Sequence, residues 1–437
     1  MLRFLSRPAT RMVERWLPDA FIFVLILTMI AFAAAVLYEG NSPMAVVQMW
    51  GDGFWGLLSF GMQMLLVLVT GYILASSPPV RRLLARLAGI AKTPGQAIIL
   101  VTFVSLAAAW INWGFGLVVG AIFAKELARQ IRVDYRLLVA SAYSGFVIWH
   151  GGLSGSVPLA IATEGHNWVD QLGVIPTSAT MFAWWNLLIC GLLFAILPFV
   201  NRMMMPREDE TVLVDPAKIE QQAELPPLGP LATPAERMEA APLLIWLVAL
   251  PGFAWLVSYF WNGGGLNLNV VNFLFLFAGL ALHGSARNVL AALDEAVRGG
   301  AGIVIQFPFY AGIAAIMVNS GLAASLSNAF VSISTAETLP FWSFISAGIV
   351  NIFIPSGGGQ WAVQAPIMLP AAEALGASME KVSMAVAWGD SWTNMLQPFW
   401  ALPLLGIAGL KARDIMGYCL IVLVVSGFII GGVFWFA

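Results

Sequence analysis

Ionisable residues are so scarce along this chain that where they fall decides what it can fold into. Its 437 residues include 21 Lys+Arg and 23 Asp+Glu, 10% of the total against 60% hydrophobic, whereas a soluble domain is roughly 25% charged. A chain of this length cannot solvate its surface with so few charges, so lipid has to cover most of it. The 18 Trp and 42 Gly agree, because aromatic rings collect at membrane interfaces and Gly is commoner in transmembrane helices than in soluble ones. A formal net charge of -2 with no dense basic patch excludes a nucleic-acid partner. Cys190 and Cys419 both lie in apolar runs and read as packing residues, with neither a disulfide framework nor a zinc spacing.

About 20 helical residues cross a hydrocarbon core of ~30 Å. By that ruler the full-length spans are 17–38, 51–76, 181–203, 241–261, 266–284, 300–319 and 416–437. The first of these is longer than the core of a cleavable signal and no small-residue cleavage site follows it, so it reads as a span.

The basic residues orient these pieces. Arg3, Arg7, Arg11 and Arg15 precede the first span, Arg81, Arg82, Arg86 and Lys92 follow the second, and Lys125, Arg129, Arg132 and Arg136 form a third group. Arg202, Arg207, Lys218 and Arg237 come next, then Arg287 with Arg298, Lys411 with Arg413, and a lone Lys381. A cytoplasmic N-terminus and the positive-inside rule put every dense group on the cytoplasmic side, provided that 97–124 enters the membrane and returns. Those residues would make ~42 Å of helix at 1.5 Å per residue, less than two crossings need, so the expectation is a re-entrant hairpin over about 97–127 with Trp110-Ile111-Asn112-Trp113-Gly114-Phe115-Gly116 at its tip. The same argument makes 340–371 a second hairpin that enters from outside, with Asn351-Ile352-Phe353-Ile354-Pro355-Ser356-Gly357-Gly358-Gly359-Gln360 at its tip. The stretches 137–163 and 382–408 become crossings interrupted by polar residues, Gly or Pro. With nine full crossings and two hairpins, 20 of the 21 basic residues are cytoplasmic and only Lys381 is outside.

The halves also repeat. A displacement of 243 puts Gln63 on Gln306, Gly114 on Gly357 and Gly116 on Gly359, and one of 245 puts Ala142-Tyr143 on Ala387-Trp388 and Pro158 on Pro403. Paired elements have opposite orientation throughout. The expected architecture is therefore an all-α polytopic membrane protein with an inverted-topology repeat, 1–203 and 266–437, joined by an acidic, Pro-rich cytoplasmic linker at 204–240 and an extra connecting helix at 241–265. Secondary transporters are commonly built this way, with substrate near the midplane where broken helices meet.

No Lys or Arg is placed deep in a span, so a bound anion has to be met by helix N-termini, backbone N–H groups, hydroxyls and amides. Pro355 ends one arm, Gly357, Gly358 and Gly359 allow close approach, and Ser356 caps the arm beginning near Gln360; the competing reading is tight helix packing. Asn112, Gly114 and Gly116 are their counterparts. Asp390 is the one carboxylate well inside a crossing, and a buried carboxylate marks a proton or cation site or a pair. Thr393 and Asn394 share its helical face if the helix persists, with Gln397 a turn beyond, and Pro398 frees further carbonyls. The matching first-half crossing offers the hydroxyl of Ser154 as a further ligand but no acid. His150 either titrates, binds substrate, or packs as a hydrogen-bonded histidine, the commonest case for a single membrane histidine. There is no His-Glu-x-x-His, Gly-x-Ser-x-Gly or Walker loop, which argues against an enzyme; a channel suits opposed polar hairpins less well than alternating access.

Several long motifs resemble one family. Trp16-Leu17-Pro18-Asp19, Met49-Trp50-Gly51-Asp52-Gly53-Phe54-Trp55, Phe60-Gly61-Met62-Gln63-Met64, Ile111-Asn112-Trp113-Gly114-Phe115-Gly116-Leu117-Val118-Val119-Gly120, Gln306-Phe307-Pro308-Phe309-Tyr310-Ala311-Gly312, Pro355-Ser356-Gly357-Gly358-Gly359 and Gln397-Pro398-Phe399-Trp400-Ala401-Leu402-Pro403 are similar to the bacterial short-chain fatty acid transporter family over essentially the whole chain. The resemblance implies uptake of short-chain carboxylates such as acetoacetate or butyrate across the inner membrane, membership of the ion transporter superfamily, an elevator-type movement and a homodimer, with no cofactor beyond Na+ or H+ as coupling ion. Carried over by position, it points to Asn112, Gly114 and Gly116 in the first tip and Asn351, Ser356, Gly357, Gly358 and Gly359 in the second. The Ser-Asn-Thr signature of sodium-coupled dicarboxylate relatives is absent from both tips, which leaves the coupling ion open. Gln360 and Trp361 complete the expected substrate set, with Trp361 against the apolar tail, and Asp390, Thr393, Asn394 and Ser154 form the expected coupling-ion set. A dicarboxylate or other organic anion is the alternative substrate.

Overall fold

Polar and glycine-rich breaks in the apolar sequence become the joints of the structure. The computed structural model describes residues 20–214 and 233–436, apart from 353, 355 and 397–399, and every regular element among them is a helix. The chain begins with α1 (Ala20–Leu37), α2 (Pro43–Gly53), α3 (Leu58–Ser76) and α4 (Pro78–Ala88), and continues with α5 (Pro94–Ile111) and α6 (Trp113–Gln130), separated by Asn112 alone. A broken element follows: α7 (Tyr135–Ser144), a 3-10 stretch (Gly145–Gly151) and α8 (Ser156–Ile161). Next come α9 (Trp184–Met203), α10 (Pro234–Ala240), α11 (Pro242–Trp261), α12 (Leu268–His283), α13 (Ala286–Asn319) and α14 (Leu322–Ile333). α15 (Leu339–Asn351) and α16 (Gly357–Leu375) are the second pair, followed by α17 (Met379–Thr393), α18 (Ala401–Ala408) and α19 (Ala412–Phe436).

Six helical segments among the described residues are long and apolar enough to cross a bilayer, or seven if Val304–Asn319 and Leu322–Ile333, bent by 72°, form one span. The protein is thus an all-helical, multi-pass membrane protein. Exposed apolar side chains on α11, among them Leu243, Leu247, Val257 and Trp261, face outward, as a lipid-facing helix requires.

Four sequence expectations change. The expected span at 51–76 is two helices, because Gly51, Gly53 and Gly56 favour a break; α2 ends at Gly53, where a Cβ would fall on that of Ala315. The expected span at 300–319 is the second half of the 34-residue α13, and the stretch after it, assigned to no span, is α14, reached through Gly321 at φ 96°, a left-handed conformation that Gly adopts without strain. The arms of the first hairpin are 18 residues each, ~27 Å apiece, so the apolar residues alone understate its reach. Thr93 caps the start of α5 through Gln96 N, and polar last turns of α6 carry Lys125, Glu126 and Arg129. In the linker, Thr233 and Glu236 form a capping box at α10, and Val212 is tied to Asp134 and Tyr135. Arg3, Arg7, Arg11, Arg15, Phe353, Pro355, Gln397 and Pro398 lie outside the described residues, as do linker residues 215–232.

Both pairs fold back as helical hairpins. In the first, a Cβ on Gly116 would lie 2.5 Å from Ala109 Cα and one on Gly120 3.0 Å from Ser105 Oγ. In the second, Gln360 Nε2 donates to Ala347 O at 2.7 Å and Gln364 Nε2 to Ser346 Oγ at 3.2 Å. Each hairpin packs backbone to backbone on the broken element that follows it. A Cβ on Gly145 would lie 2.6 Å from Leu106 N, and one on Gly389 2.9 Å from Gly348 N. The two broken elements also meet: Tyr143 OH donates to Asn394 O and Tyr135 OH to Ala408 O, each at 2.8 Å.

Candidate functional site

The first tip is a one-residue interruption held by its own side chain. Asn112 is extended (φ -155°, ψ 128°), and its Oδ1 accepts from Phe115 N at 2.9 Å, an N-cap contribution of about 1 kcal/mol. Trp113 N donates to Ser154 Oγ at 2.9 Å, which pins the tip to the break between the 3-10 stretch and α8. Gly114 and Gly116, expected to open the backbone to a ligand, are packed on protein: Cβ atoms there would lie 2.9 Å from Leu68 Cα and 2.5 Å from Ala109 Cα. Gly71 on α3 makes room for the same tip, since a Cβ there would meet Asn112 Oδ1 and lie 2.6 Å from Phe115 N.

The second tip is capped alike. Ser356 is extended (φ -156°, ψ 108°), and its Oγ accepts from Gly359 N at 3.4 Å. Rings cover all three glycines: a Cβ would strike the His150 imidazole at Gly357, Phe60 at Gly358 and Tyr310 at Gly359. Only glycine allows rings to lie this close to the start of α16. Gln360 binds Ala347 O and Gln364 Oε1, both at 2.7 Å, so it ties the hairpin arms together. Trp361 is buried edge-on to Trp168, with ring centroids 5.5 Å apart.

Asp390, 1% exposed, lies on α17. Its Oδ2 accepts from Asn394 Nδ2 at 3.3 Å and lies 3.7 Å from His150 Nδ1. Asn351 Nδ2 gathers three oxygens of this helix, reaching the main-chain Asp390 O at 2.7 Å, Thr393 Oγ1 at 2.9 Å and Asn394 Oδ1 at 3.3 Å. Asn351, expected with the glycines of the second tip, thus also lies against the helix that carries the acid. Ser154, grouped with the acid, serves the first tip through Trp113 N. The helix does persist far enough to keep Thr393 and Asn394 beside Asp390, Asn394 remaining right-handed at φ -56°, ψ -23°.

Trp149 and His150 join these parts. The Trp113 and Trp149 centroids are 5.8 Å apart and those of Trp149 and His150 3.6 Å, and the far side of the imidazole faces Gly357. His150 Nδ1 contacts Ala387 O. Asn186 braces the junction, accepting from Trp388 Nε1 at 2.9 Å and donating to Gly151 O at 3.0 Å. The packing reading of His150 thus holds for Nδ1, yet the same ring spans from the acid to the second tip. Phe60 and Tyr310 lay in quoted sequence motifs, a signal that was available; Gly71 sits in an ordinary apolar run with none. The arrangement offers helix N-termini to a negative group and clustered oxygens to a positive one.

The sequence model of the family described as Short chain fatty acid transporter matches residues 1–437. A protein of Escherichia coli (strain K12), provisionally named a short-chain fatty acid transporter, is 47% identical over 436 residues, covering 99% of both chains. A similarly named protein of Haemophilus influenzae is 46% identical over 443 residues, again covering 99% of both. The crystal structure of the Alcanivorax borkumensis YdaH transporter, described as having an unusual topology, has a similar fold, with a TM-score of 0.59 at 18% identity over 95% of this chain and 98% of that one. With the match unbroken from end to end, the chain belongs to the short-chain fatty acid transporter family.

Proposed function

We propose that this protein is a secondary active transporter of short-chain carboxylates, such as acetoacetate or butyrate, across the inner membrane, coupled to Na+ or H+. The observation that carries the proposal is a direct link between the two kinds of site. His150 presents one edge to Gly357 at the start of α16 and the other, at 3.7 Å, to Asp390. A group bound at one site therefore alters the surroundings of the other, which is what coupling requires.

The carboxylate lies between the two tips and meets Ser356 and the N–H groups near Gly357–Gly359 that the cap leaves open, those of Gly357 and Gly358, where the helix dipole favours negative charge. Asn112, Gly114 and Gly116 shape the opposite tip, and Gln360 and Trp361 support the second. Asp390, Thr393 and Asn394 serve the coupling cation, and Asn351 holds their oxygens together. The family resemblance supports an elevator movement of a homodimer, the matching backbone contacts at Gly145 and Gly389 support a repeat of hairpin and broken element, and the distribution of Lys and Arg supports its inverted orientation, the re-entrant hairpins and a cytoplasmic N-terminus. Because the described tip residues carry no Lys or Arg, a single carboxylate fits better than a dicarboxylate.

Uptake of labelled butyrate or acetoacetate into proteoliposomes, with imposed sodium or proton gradients, tests this reading. Accumulation should be saturable and should follow one of the two gradients. Uptake indifferent to both defeats the coupling, and continuous unsaturable current identifies a channel.

A further inference from the structure

At the junction of the two tips, three side-chain N–H groups are buried without a partner: Asn112 Nδ2, Trp113 Nε1 and Trp149 Nε1. Their residues are 0%, 2% and 2% exposed. They form one patch, because Asn112 and Trp113 are consecutive and the Trp113 and Trp149 rings are 5.8 Å apart. A buried donor without an acceptor is costly, and native structures retain such groups where something else satisfies them. These three orphans are donors, and two acceptors beside them are already engaged, Asn112 Oδ1 by Phe115 N and Ser154 Oγ by Trp113 N, while the unpartnered His150 Nε2 faces Gly357. His150 does not add to the donors. Its Nδ1 faces the Ala387 carbonyl, so that nitrogen carries the proton and Nε2 presents a lone pair.

The surroundings suit a short alkyl chain. Phe146 stacks on Trp149 at 5.6 Å, and Trp400 meets Trp113 edge-on at 5.1 Å. A ligand that needs several N–H donors at one end and apolar ring surface at the other is a small monocarboxylate. We infer that Asn112 Nδ2, Trp113 Nε1 and Trp149 Nε1 receive the substrate's carboxylate from the side of the first tip, with its tail against Phe146 and Trp400, and so set the preference for short-chain acids. This rests on the transport reading above and supplies the face opposite Ser356.

Trp113→Phe and Trp149→Phe keep a ring and delete the N–H. The full-length protein, reconstituted, is assayed for labelled butyrate uptake and for competition by butyramide, which keeps the tail and lacks the charge. Each variant should raise the half-saturation concentration of butyrate about tenfold, the effect of losing one hydrogen bond to a charged group, and should shrink the preference for butyrate over butyramide by a similar factor. Trp184→Phe, at an exposed position, serves as the control and should change neither. Asn112→Asp keeps the capping oxygen and replaces the donor by a like charge, so it should weaken butyrate more than tenfold and keeps the test decisive if an indole variant fails to fold. An unchanged butyrate-to-butyramide ratio in the folded variants overturns the assignment while leaving transport intact. Failure of the wild-type protein to take up any short-chain acid removes the transport reading and this assignment with it.

Discussion

Replacing Asn351 by Leu keeps the approximate volume of a fully buried side chain and deletes the amide around which the acid's oxygens gather. The donor reaches Asp390 O, Thr393 Oγ1 and Asn394 Oδ1 at 2.7, 2.9 and 3.3 Å. Asp390 O keeps a second donor, Asn394 N at 3.2 Å, and the Thr393 hydroxyl still donates to Gly389 O at 3.1 Å. Two hydrogen bonds are therefore lost at a net ~0.5–1.5 kcal/mol each, and Asn394 Oδ1 is left as a buried orphan at ~1–3 kcal/mol. The sum is about 2–6 kcal/mol, a large effect on any single chain. Equilibrium unfolding in mixed detergent micelles measures it. A double-mutant cycle with Thr393→Val should show coupling of about 0.5–3 kcal/mol, since neighbours in one network are not additive. A loss below about 1 kcal/mol with no coupling would refute the idea that this amide organises the acid's surroundings.

Asp390→Asn should leave the fold intact and abolish the dependence of uptake on the imposed ion gradient; unchanged ion dependence in proteoliposomes returns Asp390 to a structural role. Gly389→Ala drives a Cβ onto the Phe344 carbonyl and to 2.9 Å from Gly348 N, which overpacks backbone at ~1–3 kcal/mol. Gly406→Ala, whose Cβ meets nothing within 4 Å, should be neutral or stabilising by up to ~1 kcal/mol, and thermal midpoints in detergent will rank the two. Single cysteines at the exposed positions Lys92 and Arg132 should react with an impermeant maleimide from the cytoplasmic side, and those at the exposed Glu337 and Glu373 from the outside; labelling of all four from one side is incompatible with opposed hairpins.

The joints of the fold were legible for a local reason. Asn112 and Ser356 are residues whose side chains accept from the backbone three positions on, so they mark helix starts wherever apolar sequence surrounds them. The same local signals missed α14 and the break in 51–76, because an apolar run shows its period poorly when both faces avoid water. That Asp390, Thr393 and Asn394 lie side by side on one helix was legible from helical spacing alone.

Contacts across long separations were not legible. Asn351 reaching residues 39–43 positions away, Ser154 serving Trp113 across 41, and His150 meeting Ala387 across 237 depend on which elements lie side by side. By itself, the sequence determined that the chain lives in lipid, that it is helical, and that helices start at Asn112 and Ser356, since each follows from hydration cost and local backbone chemistry. Only the tertiary structure decided which buried polar atom meets which. In a medium with little water, each such atom bonds to whatever partner the packing brings within about 3 Å, and that partner is set by the whole arrangement of helices.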